Sequence, residues 1–155
     1  MARIEEHAVI AVPPADVFDY RLDFGSNLAA CNPHVREVVQ IEGDGPGVGS
    51  KYRVRVRLGP GFTADSTICV TEAVRASKVC DIAEAFIHAH ETVSFEAVAL
   101  SGGRTGTQVR FLVVSSPRGL VARIFDAVLV PFLTRRQVRT ELRLMRQDLE
   151  APTHH

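Results

Sequence analysis

A strict alternation of apolar and charged residues between positions 50 and 58 constrains the fold of this chain more than any other feature. One side of the alternation consists of Lys51, Arg53, Arg55 and Arg57, and the other of Tyr52, Val54, Val56 and Leu58. Successive side chains of a β-strand point to opposite faces, so the pattern predicts an antiparallel strand with one solvated and one buried face. The buried face must be covered by another layer of the fold.

Apolar-rich extended segments recur on both sides of this strand. Further strands are predicted at residues 4–12, 35–42, 62–71, 78–83, 87–98 and 107–115. Short glycine-containing loops, such as residues 59–61 and 101–106, join several of them and are typical of antiparallel hairpins. The sequence therefore predicts a seven-stranded antiparallel sheet.

Three segments have helical rather than extended patterns. Residues 15–22 follow Pro14, which suits the first turn of a helix, and residues 24–31 form a second short helix that ends before Pro33. The third helix, residues 117–149, should be kinked at Pro131. Its predicted buried stripe consists of Val121, Phe125, Val128, Phe132, Val138, Leu142, Met145 and Leu149.

This order of elements predicts an α+β fold in which the long C-terminal helix covers the concave face of a curved sheet. Two short helices close one end. Because such an arrangement need not fill completely, a cavity between the sheet and the long helix is expected.

Composition excludes several classes of protein. The 155 residues are 46% hydrophobic and 23% charged, which favours one globular domain over residues 1–155 with a disordered tail at about 151–155. The 18 acidic and 18 basic residues balance, and the aromatic residues lie on apolar faces, so no nucleic-acid partner is expected. His154 and His155 resemble the remnant of an expression tag, and we assign them no function.

The chain also lacks the marks of export, membrane insertion and metal binding. No apolar stretch follows the first charges of the N-terminus, and no apolar run approaches the roughly 20 residues of a spanning helix. We therefore expect a cytoplasmic protein. Three cysteines without CxxC spacing indicate neither a disulfide framework nor a zinc site, so no cofactor is predicted.

Several short motifs, in this order, resemble the START-like (SRPBCC) superfamily and within it the polyketide cyclase/dehydratase branch. The motifs are VPPADVFD at 12–19, DF at 23–24, NPHV at 32–35, GVGS at 47–50, GTQV at 106–109 and the segment 142–150. The resemblance covers essentially the whole chain and implies the helix-grip fold. It implies function poorly, because this superfamily includes lipid-transfer, hormone-binding, cyclase and chaperone-activating members.

Aromatic polyketide cyclases carry tryptophans and a working arginine on the inward face of the fourth strand. The corresponding residues here are Ala64, Ser66, Ile68 and Val70, with Val70 in the place of the arginine. The chain contains no tryptophan at all. This departure argues against aromatic-ring cyclisation and suggests a wider, more apolar pocket.

Two residues are candidates for acid–base chemistry. His34 falls where those cyclases carry a tyrosine at the cavity, and imidazole titrates near neutral pH. Glu91 alternates inward beside Val93 and Phe95, and a carboxyl group in an apolar cavity is a possible acid or base. The alternatives are that His34 only lines the pocket and that Glu91 reaches water at a bulge or strand end. The pattern leaves open whether Asp81 faces the cavity.

A His-x-His pair, His88 and His90, lies on one face of a predicted strand. That face continues through Thr92, Ser94 and Glu96, which is typical of a solvated outer surface. No metal site is predicted, because a third ligand cannot be named.

We expect the protein to hold a small hydrophobic or amphipathic ligand, such as a lipid, polyketide or isoprenoid, in the internal cavity. The predicted lining residues are Phe24, Cys31, Tyr52, Val54, Val56, Ser66, Ile68, Val70, Val93, Phe95, Phe111, Phe125, Phe132 and Arg135. Arg135 is placed to pair with an anionic head group or with Glu91, unless the kink at Pro131 turns it into solvent.

Two other functions stay open at this point. One is a cyclase or dehydratase with His34 and Glu91 as acid and base, so the sequence does not decide whether the protein is an enzyme. The other is a protein-interaction module of the chaperone-activator kind. The arginines between residues 135 and 146 favour at most a weak contact with an anionic membrane, and either a monomer or a homodimer is compatible with the sequence.

Overall fold

Seven strands form one antiparallel sheet in the part of the chain that the computed structural model describes. That part is residues 2–85 and 87–151, without the side chains of Leu58, Ile87, Phe125, Asp126 and Val130. The strands are β1 (Arg3–Ile10), β2 (Val35–Glu42), β3 (Lys51–Gly59), β4 (Phe62–Val74), β5 (Lys78–Glu84), β6 (Ile87–Ala99) and β7 (Thr105–Pro117). Their spatial order is β1-β7-β6-β5-β4-β3-β2. The predicted seven-stranded antiparallel sheet is confirmed.

Two short helices lie between β1 and β2, as predicted: α1 (Pro14–Leu22) and α2 (Phe24–Cys31). The carboxylate of Asp23 accepts a hydrogen bond from the backbone N–H of Ser26 at 3.2 Å and so caps the start of α2. Two more helices follow β7, namely α3 (Leu120–Val128) and α4 (Val130–Glu150). The predicted single helix with a kink is thus two helices, because the chain breaks at Leu129 and Pro131 lies in the first turn of α4.

The break changes which apolar residues are buried. The predicted stripe is confirmed on α4, where the buried apolar residues are Val138, Leu142 and Met145. It is wrong for Val121, Val128 and Phe132, whose side chains are 61–74% exposed. Residues at helical spacing share one face only within a continuous helix. Because the helix breaks at Leu129, the apolar face of α3 does not continue as the apolar face of α4. The side chain of Phe125 and nearly all of the predicted disordered tail lie outside the described residues.

The concave face of the sheet is filled at one end and open at the other. In the filled end, which we call the packed half, the inward residues are Tyr52, Val54, Ile68, Val70, Val79, Val93, Phe95, Val109 and Phe111. They form one core with buried residues of α1, α2 and α4. At the other end, which we call the open half, the inward residues of β3 to β6 are Val56, Ala64, Ser66, Ala83 and Ala89, all of them only partly buried. Val56 pairs with Ala64 and Ala83 with Ala89, and Ser66 Oγ donates to the carbonyl oxygen of Glu84 beside Ala83; we call these five residues the wall.

Gly106 lies where β7 passes close to the end of β1. A Cβ atom at Gly106 would come within 2.9 Å of the Ile10 carbonyl oxygen and 2.8 Å of Leu100 Cδ1. The carbonyl belongs to the backbone and cannot move aside alone, so Gly106→Ala should lower the free energy of unfolding by about 1–3 kcal/mol. The matched control is Gly25→Ala in α2, where a Cβ atom would lie 3.8 Å from Tyr52 Cε1, an ordinary contact. Chemical denaturation measures both variants, and unchanged stability of Gly106→Ala would contradict this account.

Candidate ligand-binding site

A buried arginine lies inside the packed half. Arg21 extends inward from α1, and its side chain is 3% exposed. The guanidinium carbon lies 4.7 Å from the ring centre of Phe24 and 4.9 Å from that of Phe111. Both contacts are cation–π interactions, which strengthen when water is excluded. Arg21 therefore connects α1 with the start of α2 and with β7.

Three carboxyl groups surround this guanidinium. Arg21 Nη2 lies 3.1 Å from Glu91 Oε2 and 3.4 Å from Asp81 Oδ1, and Nη1 lies 3.8 Å from Glu141 Oε2. Asp81 and Glu91 are opposite each other on β5 and β6, and Glu141 comes from α4. The structure thus answers the question that the sequence left open, because Asp81 faces inward and is fully buried.

The excess of carboxyl groups changes how this cluster ionises. Burial raises the pKa of Asp81 well above its usual range, and repulsion from Glu91 adds to the effect. Burial also raises the pKa of Glu141 to about 7, although the charge of Arg21 opposes this shift. Burial alone would lower the pKa of Arg21, but the three carboxylates outweigh it and raise that pKa. The arginine stays charged, and the cluster retains protons near neutral pH.

Glu141 should make the folded protein less stable as the solution becomes more alkaline. The pKa of a free glutamate is 4.5, whereas the pKa of Glu141 in the fold is about 7. Between these values the folded state holds a proton that unfolding releases, so the free energy of unfolding falls as pH rises through this window. Above about pH 7 the loss is complete.

Thermal melting at about pH 5 and about pH 8 tests this dependence. In Glu141→Gln the melting temperature should fall less between the two pH values than in the wild type. Glu96→Gln is the control, since Glu96 is exposed on the outer face of β6, and it should keep the wild-type dependence. A wild-type dependence in Glu141→Gln would show that this carboxyl group does not titrate as described.

A groove of about 510 Å³ opens between α4 and the open half. Its lining residues are Pro33, His34, Val56, Arg57, Leu133, Arg136, Gln137, Thr140 and Arg143. This volume lies in the range of about 300–1,000 Å³ that is typical of small-molecule sites. By contrast, the cavity beside Arg21 and Phe24 has about 10 Å³, room for no more than one water molecule. Of these two spaces, only the groove has room for a ligand.

The predicted lining residues divide between the two halves of the concave face. Those at most 8% exposed, in or beside the packed half, are Phe24, Cys31, Tyr52, Val54, Ile68, Val70, Val93, Phe95 and Phe111. Val56 and Ser66 belong to the open half, and Val56 also lines the groove. Phe132 and Arg135 lie outside the groove, contrary to the prediction. The reasons are that the helix break exposes Phe132 and that Arg135 pairs with Glu6 on β1 at 3.3 Å, not with Glu91.

The structure does not bring the two predicted acid–base residues together. His34 is exposed and lines the groove, and its backbone N–H donates to Asn32 Oδ1 at 3.0 Å. Glu91 is held by Arg21 at the border of the two halves, between Ala89 and Val93. Neither the groove nor the cavity beside Arg21 and Phe24 is lined by both side chains.

The histidine pair on β6 has no metal-binding environment in the described part of the chain. The rings of His88 and His90 lie 5.5 Å apart, and His88 Nδ1 lies 3.6 Å from Glu84 Oε1. Residues 2–85 and 87–151 contain no group of three or more histidine, cysteine, aspartate and glutamate side chains suited to hold a metal ion.

Sequence reasoning missed the arginines of the two sites. Arg21 follows Val17 by four residues and Phe18 by three, so helical spacing places it on the buried face of α1, and this signal was present. Arg57 belongs by alternation to the solvated face of β3. It lines the groove at a shift in the pairing register between Arg57 and Gly59, for which the sequence carries no clear signal.

Comparisons with known proteins agree with this architecture. The sequence model of the family described as polyketide cyclase / dehydrase and lipid transport matches residues 1–150. Protein CV1439 from Chromobacterium violaceum has a TM-score of 0.73 at 18% identity, over 98% of this chain and 100% of that chain. TTHA0849 from Thermus thermophilus has a TM-score of 0.72 at 14% identity, over 96% of this chain and 97% of that chain.

A third similar structure belongs to a protein of a biosynthetic pathway. The di-domain ARO/CYC protein BexL, from the BE-7585A biosynthetic pathway, has a TM-score of 0.71 at 15% identity, over 97% of this chain and 47% of BexL. No curated protein sequence matches the chain.

The seven-stranded sheet, the C-terminal helix and these structural likenesses define a protein of the helix-grip fold. Because the family match covers nearly the whole chain, the protein belongs to the polyketide cyclase / dehydrase and lipid transport family, within the START-like superfamily. Membership supports a ligand-binding or cyclase role. Among the described helices, none has the length and apolar character needed to cross a membrane.

Proposed function

We propose that the protein binds one small hydrophobic or amphipathic molecule in the open half of the concave face. The observation that carries the proposal is the contrast between the two halves. Large side chains fill the packed half, whereas Val56, Ala64, Ser66, Ala83 and Ala89 leave apolar surface only partly buried. The groove of about 510 Å³ gives access to this surface, because Val56 belongs to both.

The chemistry of the wall favours an apolar ligand held by shape. Four of its five side chains are aliphatic, so burying a ligand there removes apolar surface from water. The one hydroxyl, Ser66 Oγ, already donates to the Glu84 carbonyl oxygen at 3.3 Å. The wall thus offers a ligand no free hydrogen-bond donor, and the ligand's carbon skeleton supplies most of the binding energy.

Filling the open half should abolish binding without unfolding the protein. Ala83→Leu adds a branched side chain to the wall at a position that is only partly buried. A ligand that binds only the folded state, at about 100 times its Kd, stabilises the wild type by about 2.7 kcal/mol. Thermal melting with and without the ligand should show this gain in the wild type and lose it in Ala83→Leu.

Ala99→Leu, an exposed position on β6, is the matched control and should keep the gain. The ligand itself is found by native mass spectrometry of the purified protein, followed by denaturation and identification of the released molecule. A protein that carries nothing and shows no thermal shift with any hydrophobic probe would refute the proposal and favour an interaction module.

A second candidate function, an acid–base enzyme of the cyclase or dehydratase kind, is favoured by the Arg21 cluster. Arg21 Nε and Asp81 Oδ2 are buried without hydrogen-bond partners among the described residues, an arrangement that costs stability. Glu91 is the most exposed member of the cluster, at 22%, and lies at the border of the open half. Such a carboxyl group can exchange a proton with a bound ligand, while Asp81 and Arg21 set its charge environment.

The variant Glu91→Gln distinguishes the hypothesis of an enzyme from that of a carrier. An enzyme should lose at least about 100-fold in the turnover of a poly-β-keto thioester analogue, yet keep the ligand-induced thermal shift. A wild-type protein that binds such analogues without converting them excludes this second function and leaves the carrier.

A further inference from the structure

We infer that the groove recognises an anionic head group, a carboxylate or a phosphate monoester, at one end of the bound apolar molecule. This inference rests on the proposed function, because it names the polar end of the same ligand. Arg57 enters the groove from β3, and Arg136 and Arg143 enter it from α4. His34 adds an imidazole, and no aspartate or glutamate belongs to the lining that the structure describes.

Among the described residues, these three guanidinium groups lack counter-charges, unlike Arg55 on β3 and the other arginines of α4; Arg36 and Arg53, which lie outside the groove, also have none. Elsewhere, Arg55 pairs with Glu37 and Asp65, Arg135 and Arg139 pair with Glu6, and Arg146 pairs with Glu150. In the described part of the chain, neither Arg57, Arg136 nor Arg143 forms an ion pair, and Arg57 makes only a 3.4 Å hydrogen bond from Nε to the Gly59 carbonyl oxygen. Three positive charges therefore converge on one groove without compensation.

The order of residues along α4 gives the groove a polar end and an apolar end. Arg136, Thr140 and Arg143 recur at spacings of four and three residues, so they lie on one face of the helix. Leu133 precedes Arg136 by one turn and is half exposed, and Val56 lies on the sheet side. A ligand with its charged head near Arg136 and Arg143 can therefore place its chain against Leu133 and Val56, toward the open half.

Guanidinium groups match the geometry of the proposed head group. Each presents a planar fork of N–H donors that binds a carboxylate or a phosphate through two parallel hydrogen bonds. Thr140 and Gln137 add polar side chains within the same lining. A groove of about 510 Å³ has the size of a small-molecule site and so can hold one amphiphile.

The test compares four probes that share or lack the two parts of the proposed ligand: dodecanoate, dodecyl phosphate, dodecanol and inorganic phosphate. Isothermal titration calorimetry below the micelle-forming concentration gives their Kd values. The wild type should bind at least one of the two anionic amphiphiles about tenfold more tightly than dodecanol. Whichever anion is preferred identifies the head group.

Two double variants test whether the groove arginines cause the preference for the anionic amphiphile over dodecanol. Arg136→Gln/Arg143→Gln should bind the preferred anion and dodecanol within about twofold of each other, with the Kd of dodecanol unchanged. Arg53→Gln/Arg104→Gln removes the same number of charges at exposed positions outside the groove and should keep the wild-type preference.

The remaining outcomes would contradict either the head-group inference or the proposed function. Dodecanol that binds as tightly as both anions, or a full preference retained in Arg136→Gln/Arg143→Gln, overturns the head-group inference and leaves the proposed function standing. Inorganic phosphate that binds as tightly as dodecyl phosphate shows a plain anion site with no role for the apolar chain. If none of the three amphiphiles binds, the proposed function itself fails for this class of ligand.

Discussion

The positive charge of Arg21, held out of water, fixes how the layers of this protein meet. A buried guanidinium is tolerated only where carboxylates and aromatic faces replace its hydration. Here Asp81 and Glu91 come from neighbouring strands and Glu141 from α4, so the charge sets the position of the helix over the sheet. Phe24 extends the same centre to α2. Apolar packing alone would allow the helix to slide, whereas directional ion pairs admit few positions.

Much of this architecture could be predicted from local patterns in the sequence. The alternation at 50–58 and the positions of prolines and glycines were enough to predict the seven strands and the two short helices. Both signals are local, because strand period and turn chemistry depend on only a few neighbouring residues. The inward facing of Glu91 followed from the same period and is correct. The convergence of Arg21, Asp81 and Glu141 could not be predicted, since each lies 60 positions after the one before it in the chain and only the tertiary fold joins them.

The candidate site was less accessible to sequence reasoning than the fold. The prediction assigned most of the large inward apolar residues to the pocket lining, but a residue such as Tyr52 or Phe111 is part of the filled core and does not border a cavity. Only the sizes of facing side chains distinguish a filled region from an open one, and those depend on which strands are neighbours. At Phe132 the error has another origin, because periodicity does not reveal that a helix is interrupted.

The division of the concave face separates the residues that hold the protein together from those that meet a ligand. A substitution at Ala64, Ala83 or Ala89 alters the shape of the open wall without replacing a member of the ion cluster or a large core side chain. Single substitutions at these alanines can consequently change which molecules are bound. The fold tolerates each of them, because other residues provide its stability. Descendants of this chain could acquire different ligands long before their sequences lost the pattern that specifies the fold.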